Sequence, residues 1–209
     1  MAIKTNSQYH MVLNPDLKFE PNIIDTIMAF MDADSNILNV MPKVLNQRGE
    51  IQYLAKLLPT PLDLILRRFL PSGVLGKRKS DDYILKESGY DKIINAPSLS
   101  GCFMFLRIDV FKKYNLFFDE SFFMYCEDVD LCRRIHKIGK TIYFPEVIIV
   151  HEHTRLSYKS TRMLSHHIVS AVKYFNKWGW FFDNERKKVN DQTLRDIHDL
   201  ASGQGAPLT

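Results

Sequence analysis

Residues 8 to 45 follow the order strand, turn, helix, strand, which leaves few fold classes open. "QYHMVL" is rich in β-forming residues and runs into "NPD", so a short buried strand over 8–13 ends at a turn that carries Asp16. Behind Pro21, apolar residues return every three or four positions and predict an amphipathic helix to about Ala33. "NILNVMPKVL" predicts the next strand. This alternation is typical of an α/β fold.

The later part of the chain continues the alternation. An apolar strand is predicted near 102–107, and a helix follows the acids at 127 and ends with Gly139 in the left-handed position. The other expected elements are a turn at Gly49, a short helix from Asp109, two strands in "TIYF" and "VIIVHEH", a last helix over 161–178, and a polar, mobile tail over 184–209.

The composition changes between Leu57 and Lys79. The segment mixes leucines, prolines and cations, and it is too broken for a long core helix. We therefore expect a surface insertion over about 57–95. Its cations, Arg67 and Arg68 among them, suit a contact with the membrane surface or a lipid-linked acceptor, and they equally suit a solvated loop.

Overall composition describes an ordinary globular protein. The chain has 209 residues, 45% of them apolar, and 28 basic against 24 acidic side chains. Three cysteines without paired spacing predict reduced, buried thiols and argue against a zinc ribbon. No signal segment or membrane-spanning stretch is visible, so the expected location is the cytoplasm. Basic and aromatic residues do not alternate along any strand, so no nucleic-acid binding is expected.

Three carboxylates stand at the start of one predicted helix. Glu127, Asp128 and Asp130 follow the apolar run "FFMYC". Acids at a helix start often accept hydrogen bonds from backbone N–H groups, so capping is one interpretation. The other is general-base chemistry, because apolar surroundings raise the pKa of a carboxylate.

Two further positions suit a metal or a phosphate. Asp16 lies at the carboxyl end of a strand, where open α/β sheets bind ligands, although Asn-Pro-Asp is also common turn chemistry. His151 and His153 are two apart at a predicted strand end, so both side chains would lie on one face. One of them could join a carboxylate on a divalent ion, or both could be surface histidines.

Three segments together resemble the family 2 glycosyltransferases, in particular the bacterial rhamnosyltransferase-like branch that builds surface polysaccharides. The segments are "LNPDLKF", "LSGCFMFLRIDVF" and "FFDESFFMYCEDVDLCRRIHKIGKTIYFPEVIIVHEH", and the likeness covers about residues 1–180. The resemblance implies a nucleotide-diphosphosugar (GT-A-type, Rossmann-like) fold, with a single catalytic domain over 1–183. It also implies inverting transfer of a sugar from a nucleotide donor to a saccharide or lipid-linked acceptor.

The resemblance also suggests roles for individual residues. It implies that Asp128 is the preferred catalytic base with Glu127 beside it, and that Asp16 and His151 bind Mg²⁺ or Mn²⁺. The residues it places against the substrate are Asn14, Asp16, Ser100 and Gly101.

This sequence departs from the family pattern in two ways. Asn14 stands where the usual Asp-x-Asp metal motif has its first acid. Relatives also begin with further βα units, so about 70 to 90 residues are expected to be absent, given the size of such units. Their loss would leave an open sheet edge beside 8–13 and favour self-association. An inactive fragment or a binding module of the same fold therefore stays open as an alternative, and a metal-dependent hydrolase is a third.

Overall fold

The computed structural model describes residues 7–66, 77–152 and 161–203, and its centre is a mixed β-sheet of six strands. Two further short strands, β4 and β6, pair with each other outside this sheet. The strands are β1 (Tyr9–Leu13), β2 (Leu17–Lys18), β3 (Ile37–Leu45), β4 (Ala55–Lys56), β5 (Ile94–Asn95), β6 (Ser98–Leu99), β7 (Phe103–Arg107) and β8 (Lys140–His151).

Strand order brings three strand ends to one edge of the sheet. The order is β1-β7-β3-β8-β2, with β5 added beside β8. β3 and β8 are parallel, and β7 is antiparallel to both β1 and β3, so β1, β3 and β8 run in the same direction. The carboxyl ends of these three strands therefore lie at a common edge, and β7 begins there.

Helices cover both faces of the sheet. Their lengths and positions follow the predicted pattern over 21–33 and 161–178. The helices are α1 (Ile23–Ala33), α2 (Lys77–Tyr83), α3 (Ile108–Tyr114), α4 (Glu127–His136), α5 (Thr161–Trp178) and α6 (Asn184–Ala201), with a π-helical turn over Leu62–Leu66 and a 3-10 turn over Lys86–Ser88. Among the described residues, no helix is both long and apolar enough to cross a bilayer.

Successive side chains of the central strands point to opposite faces of the sheet and so contribute to two hydrophobic cores. Val40 and Phe105 face α1, whose buried residues include Ile27. Their sequence neighbours Met41 and Leu106 point to the opposite face, where α4 packs. Because successive side chains of a strand point to opposite faces, one apolar run can serve both cores. The expected α/β architecture, with helices on both sides of a sheet, is therefore what the chain forms.

Residues 184–203 are not a mobile tail, as the polar composition predicted, but a packed helix. α6 buries Arg186, Thr193 and Ile197. Its start is joined to α4 by Arg133, whose guanidinium donates to both oxygens of Asp183 at 2.8 and 2.7 Å. Polar composition misled the prediction because this helix is held largely by buried ion pairs and hydrogen bonds.

The predictions for Gly139 and for the two strands that follow it also need correction. Gly139 is not left-handed; a Cβ there would lie 2.5 Å from Leu38 Cδ1, so close packing requires the glycine. "TIYF" and the residues up to His151 form one strand, β8, because its pairing with β3 resumes after a shift in register at Pro42. A bulge absorbs the intervening residues.

The predicted burial was wrong in two places. No residue of β1 is fully buried, since the strand has one hydrogen-bonded neighbour in the described part of the chain. In contrast, the expected surface insertion over 57–95 supplies core residues, among them Leu58, Leu85 and Tyr90. The Tyr90 hydroxyl lies 2.5 Å from the carbonyl oxygen of Ala55, just before the segment, and 2.8 Å from that of Ile84, within it. Residues 67–76, which include Arg67 and Arg68, lie outside the described residues.

The Arg133–Asp183 pair should be a main source of stability. Both side chains are nearly inaccessible, at 2% and 3% exposure, so Arg133→Ala would leave Asp183 charged and buried without its main partner. We expect the free energy of unfolding to fall by about 3 to 5 kcal/mol, measured by urea denaturation. Arg195→Ala, a change at an exposed position of α6, should alter the free energy of unfolding by no more than about 0.5 kcal/mol. Equal losses in the two variants would contradict this prediction.

Candidate active site

The predicted ligand residues Asp16 and His151 meet at the carboxyl edge of the sheet. Asp16 lies in the turn between the end of β1 at Leu13 and the start of β2 at Leu17, and His151 is the last residue of β8. Between them, β2 pairs with β8 so that Leu17 lies opposite His151. Asp16 Oδ1 is 3.2 Å from His151 Nε2. Two side chains that are far apart in sequence are therefore adjacent, as the strand-end positions suggested.

Gln52 fixes the orientation of the His151 ring. Its Nε2 donates to the His151 carbonyl at 3.1 Å, and its Oε1 lies 3.1 Å from His151 Nδ1. Since Oε1 can only accept, Nδ1 carries the hydrogen, and Nε2 faces the carboxylate of Asp16. That arrangement is favourable when Nε2 holds either a proton or a metal ion that it shares with Asp16. His153, the other predicted ligand, lies outside the described residues.

The turn before β7 joins the acids of α4 to this edge. The Gly101 N–H donates to Asp128 Oδ2 at 2.9 Å. A Cβ at position 101 would lie 3.1 Å from the Cβ of Asp128, so glycine permits the close approach. On the other side of the turn, the Asn14 N–H donates to the Cys102 carbonyl at 2.9 Å. Asn14 and Asp128 thus contact adjacent residues of one turn.

The pKa of the buried Cys102 thiol is affected by both candidate acids, Asp128 and Asp16. Burial is the main cause that raises its pKa to about 11, and the negative charges of Asp128 and Asp16 raise it further. A hydrogen bond between the Ser100 side chain and the thiol lowers the pKa and so opposes this rise, and the Ser100 hydroxyl also accepts from the Cys102 N–H at 3.3 Å. Both carboxylates therefore lie within electrostatic range of one side chain. Ser100, a predicted substrate residue, shapes the turn in this structure.

The three acids of α4 occupy different environments. None is the N-cap, which is Cys126 and makes no side-chain capping bond. Asp130 is fully buried and accepts from Arg134, Trp178 and Lys177 at 2.7 to 2.9 Å, so it is a structural anchor. Its role was not visible in the sequence, because Trp178 and Lys177 are almost fifty residues away.

Glu127 has the raised pKa that the apolar surroundings predicted. Burial raises it from 4.5 to about 7, and the neighbouring charge of Asp128 adds to the effect. Its Oε2 is buried and has no hydrogen-bond partner in the described part of the chain. Asp128, by contrast, accepts from the N–H groups of Gly101 and Val129. Glu127 is therefore partly protonated near neutral pH.

A strained backbone corner at Tyr125 and Cys126 directly precedes α4 and orients the start of the helix that carries these acids. Tyr125 and Cys126 both have positive φ, at 67° and 64°, which costs roughly 1 to 3 kcal/mol each. Packing holds the corner in place, since Cys126 is buried against α5 and the Ser170 hydroxyl donates to the Met124 carbonyl at 2.6 Å. No glycine marks the corner, so no sequence pattern indicates it. Such strain is concentrated at functional sites.

The raised pKa of Glu127 should make stability depend on pH. The folded protein holds this proton more tightly than the unfolded chain, so stability falls as the pH rises from about 4.5 to 7. Glu127→Gln removes the titration. Between pH 4 and pH 8 the variant should gain up to roughly 3 kcal/mol relative to the unaltered protein in urea unfolding. Exposed Glu120→Gln is the matched control, and parallel pH curves for the Glu127 variant would refute the prediction.

Comparison with known proteins gives one distant relationship. No family model matches the chain. The chain is 27% identical over 173 residues to Rhamnosyltransferase WbbL of Escherichia coli (strain K12). The match covers 81% of this chain and 62% of that protein, so the chain spans about three fifths of the relative's length. The candidate site is therefore carried by a chain that is distantly related to a rhamnosyltransferase.

Proposed function

We propose that this protein is a glycosyltransferase of the inverting type, which moves a sugar from a nucleotide-diphosphate donor to a hydroxyl of a saccharide or lipid-linked acceptor. The observation that carries the proposal is the meeting of Asp16, His151 and Asp128 around residues 100–102 at the carboxyl edge of the sheet. Ligands of open α/β sheets bind at such an edge. The distant relationship to a rhamnosyltransferase supports the same reaction class.

Asp16 and His151 would hold the metal ion. Among the described residues no cluster of three ligating side chains exists, so the pair supplies two ligands and leaves positions for diphosphate oxygens. Asp16 is 39% exposed and His151 7%, so the carboxylate faces the substrate side while the imidazole is fixed from behind by Gln52. Mg²⁺ or Mn²⁺ would neutralise the departing diphosphate.

Asp128 would accept the proton of the attacking hydroxyl. The Gly101 and Val129 N–H groups fix its carboxylate, and each oxygen retains lone pairs for the incoming proton. Glu127 is the weaker candidate for this role, since its Oε2 is buried. Protonation of Glu127 would remove a negative charge from beside Asp128. One base acting in one displacement gives inversion at the anomeric carbon.

Removing the base should abolish transfer and leave nucleotide binding intact. For Asp128→Asn we expect a rate loss of about 10²- to 10⁴-fold, because proton removal is lost while the Gly101 contact can persist. The assay follows nucleoside-diphosphate release from a panel of sugar nucleotides that includes a rhamnose donor. Asp109→Asn, an exposed acid at the start of α3, is the control. Full turnover by the Asp128 variant would exclude its role as the base.

Removing the metal ligands should weaken nucleotide binding itself. Asp16→Ala and His151→Gln should each reduce Mn²⁺-dependent binding of a nucleoside diphosphate by about 10- to 100-fold, measured by calorimetry with and without chelator. Asp25→Ala, an exposed acid on α1, should bind normally. Unchanged affinity in both site variants would remove this pair from the metal site. Binding without any transfer would favour the binding-module hypothesis.

A further inference from the structure

Two neighbouring phenylalanines project from the loop between α5 and α6, and nothing in the described part of the chain covers them. Phe181 is 79% exposed and Phe182 is 97% exposed. They are the most exposed large apolar side chains among the described residues. Single exposed apolar residues are common on protein surfaces, but two adjacent aromatic rings in the loop between two helices form a concentrated apolar tip.

The backbone of this tip is fixed. Gly179 has a φ of +101°, and its N–H donates to the Phe175 carbonyl at 2.8 Å. The Arg186 guanidinium donates to the carbonyls of Gly179 and Trp180 at 3.4 and 3.1 Å, and Asp183 accepts the Arg186 N–H at 2.9 Å. These hydrogen bonds fix the backbone on both sides of Phe181 and Phe182, and both rings are exposed to solvent.

The charges beside the tip suit an anionic surface. The acids at the start of α6 are already paired: buried Asp183 binds Arg133, and Glu185, which is 38% exposed, binds both Arg133 and Lys137. Lys187 and Lys188 are exposed, and neither pairs with an acid within residues 7–66, 77–152 and 161–203. The two lysines therefore add positive charge that no described acid neutralises, whereas the negative charge of Glu185 is matched by its own cationic partners.

We propose that the tip formed by residues 180–182, with Lys187 and Lys188, docks the protein onto the surface of an anionic lipid bilayer. The two phenylalanine rings would enter the boundary between headgroups and acyl chains, and the lysines would contact lipid phosphates. A protein partner would need a pocket shaped for two adjacent rings. A bilayer interface accepts such rings without a shaped pocket, and it also supplies the negative charge.

This proposal does not depend on the proposed sugar transfer, and it uses no residue of the cationic segment over 62–79. Its test measures lipid binding with no nucleotide or sugar present. Failure of either proposal would therefore leave the other standing.

The experiment measures co-sedimentation with vesicles made of equal parts phosphatidylcholine and phosphatidylglycerol. Replacing both rings, in Phe181→Ser with Phe182→Ser, should lower the partition coefficient by about tenfold or more. Lys187→Gln and Lys188→Gln should lower it by roughly fivefold each, and high salt should abolish this second difference. Vesicles of phosphatidylcholine alone should bind the unaltered protein less well.

Phe123→Ser is the matched control for an exposed aromatic residue. Phe123 is 75% exposed and its ring contacts His166, about 18 Å from the loop along α5. This variant should bind vesicles as the unaltered protein does. The unaltered protein should also show a blue shift of Trp180 fluorescence on anionic vesicles, and Trp180→Phe should remove it.

Three results would overturn the proposal. The first is that the unaltered protein does not bind anionic vesicles, and the second is that the double phenylalanine variant binds them as well as the unaltered protein. The third is that the rings mediate self-association in the absence of lipid, with no vesicle binding. Thermal unfolding of the double variant should match that of the unaltered protein, because both rings are exposed.

Discussion

The buried contact between Arg133 and Asp183 holds the candidate site to the rest of the protein. Arg133 lies in the second turn of α4, and its bidentate bond to Asp183 joins that helix to the start of α6. Burial alone would raise the pKa of Asp183, but hydrogen bonds from Arg133 and Arg186 outweigh it and keep the pKa below its ordinary value. One turn earlier, Asp130 binds α5 through Trp178. The first turn of α4 is thereby free to present Asp128 to the sheet.

Strand direction supplies the other half of the site. β1, β3 and β8 all end at one edge, so residues from opposite ends of the chain can meet there with short connections. Asp16 and His151 meet because β2 pairs with β8 immediately after the turn. Gly101 completes the arrangement by letting a helix approach the turn before β7.

Local patterns in the sequence predicted much of the fold. The limits of α1 and α5, the strand over 37–45 and the three buried, reduced cysteines were expected from periodicity and spacing, and the structure confirms them. The position of Asp16 after a strand was also expected. These features depend on neighbours within a few residues, which is the range that sequence patterns report.

The remaining features depend on distant contacts. Gln52 reaches His151 across 99 residues, and no local motif announces that pair. α6 has the composition of a tail, and its burial becomes evident only once Arg133 and the carbonyls around Pro59 are placed beside it. Gly139 was predicted to have a left-handed φ, but the structure requires glycine there because Leu38 approaches closely, and sequence alone does not distinguish the two reasons.

The left-handed pair at Tyr125 and Cys126 has a consequence for engineering this protein. Glycine would relax both positions, and a search for heat-resistant variants would therefore tend to find it there. Such a gain would loosen the bend that directs the start of α4. Thermal stability and the orientation of α4 thus place opposing demands on Tyr125 and Cys126.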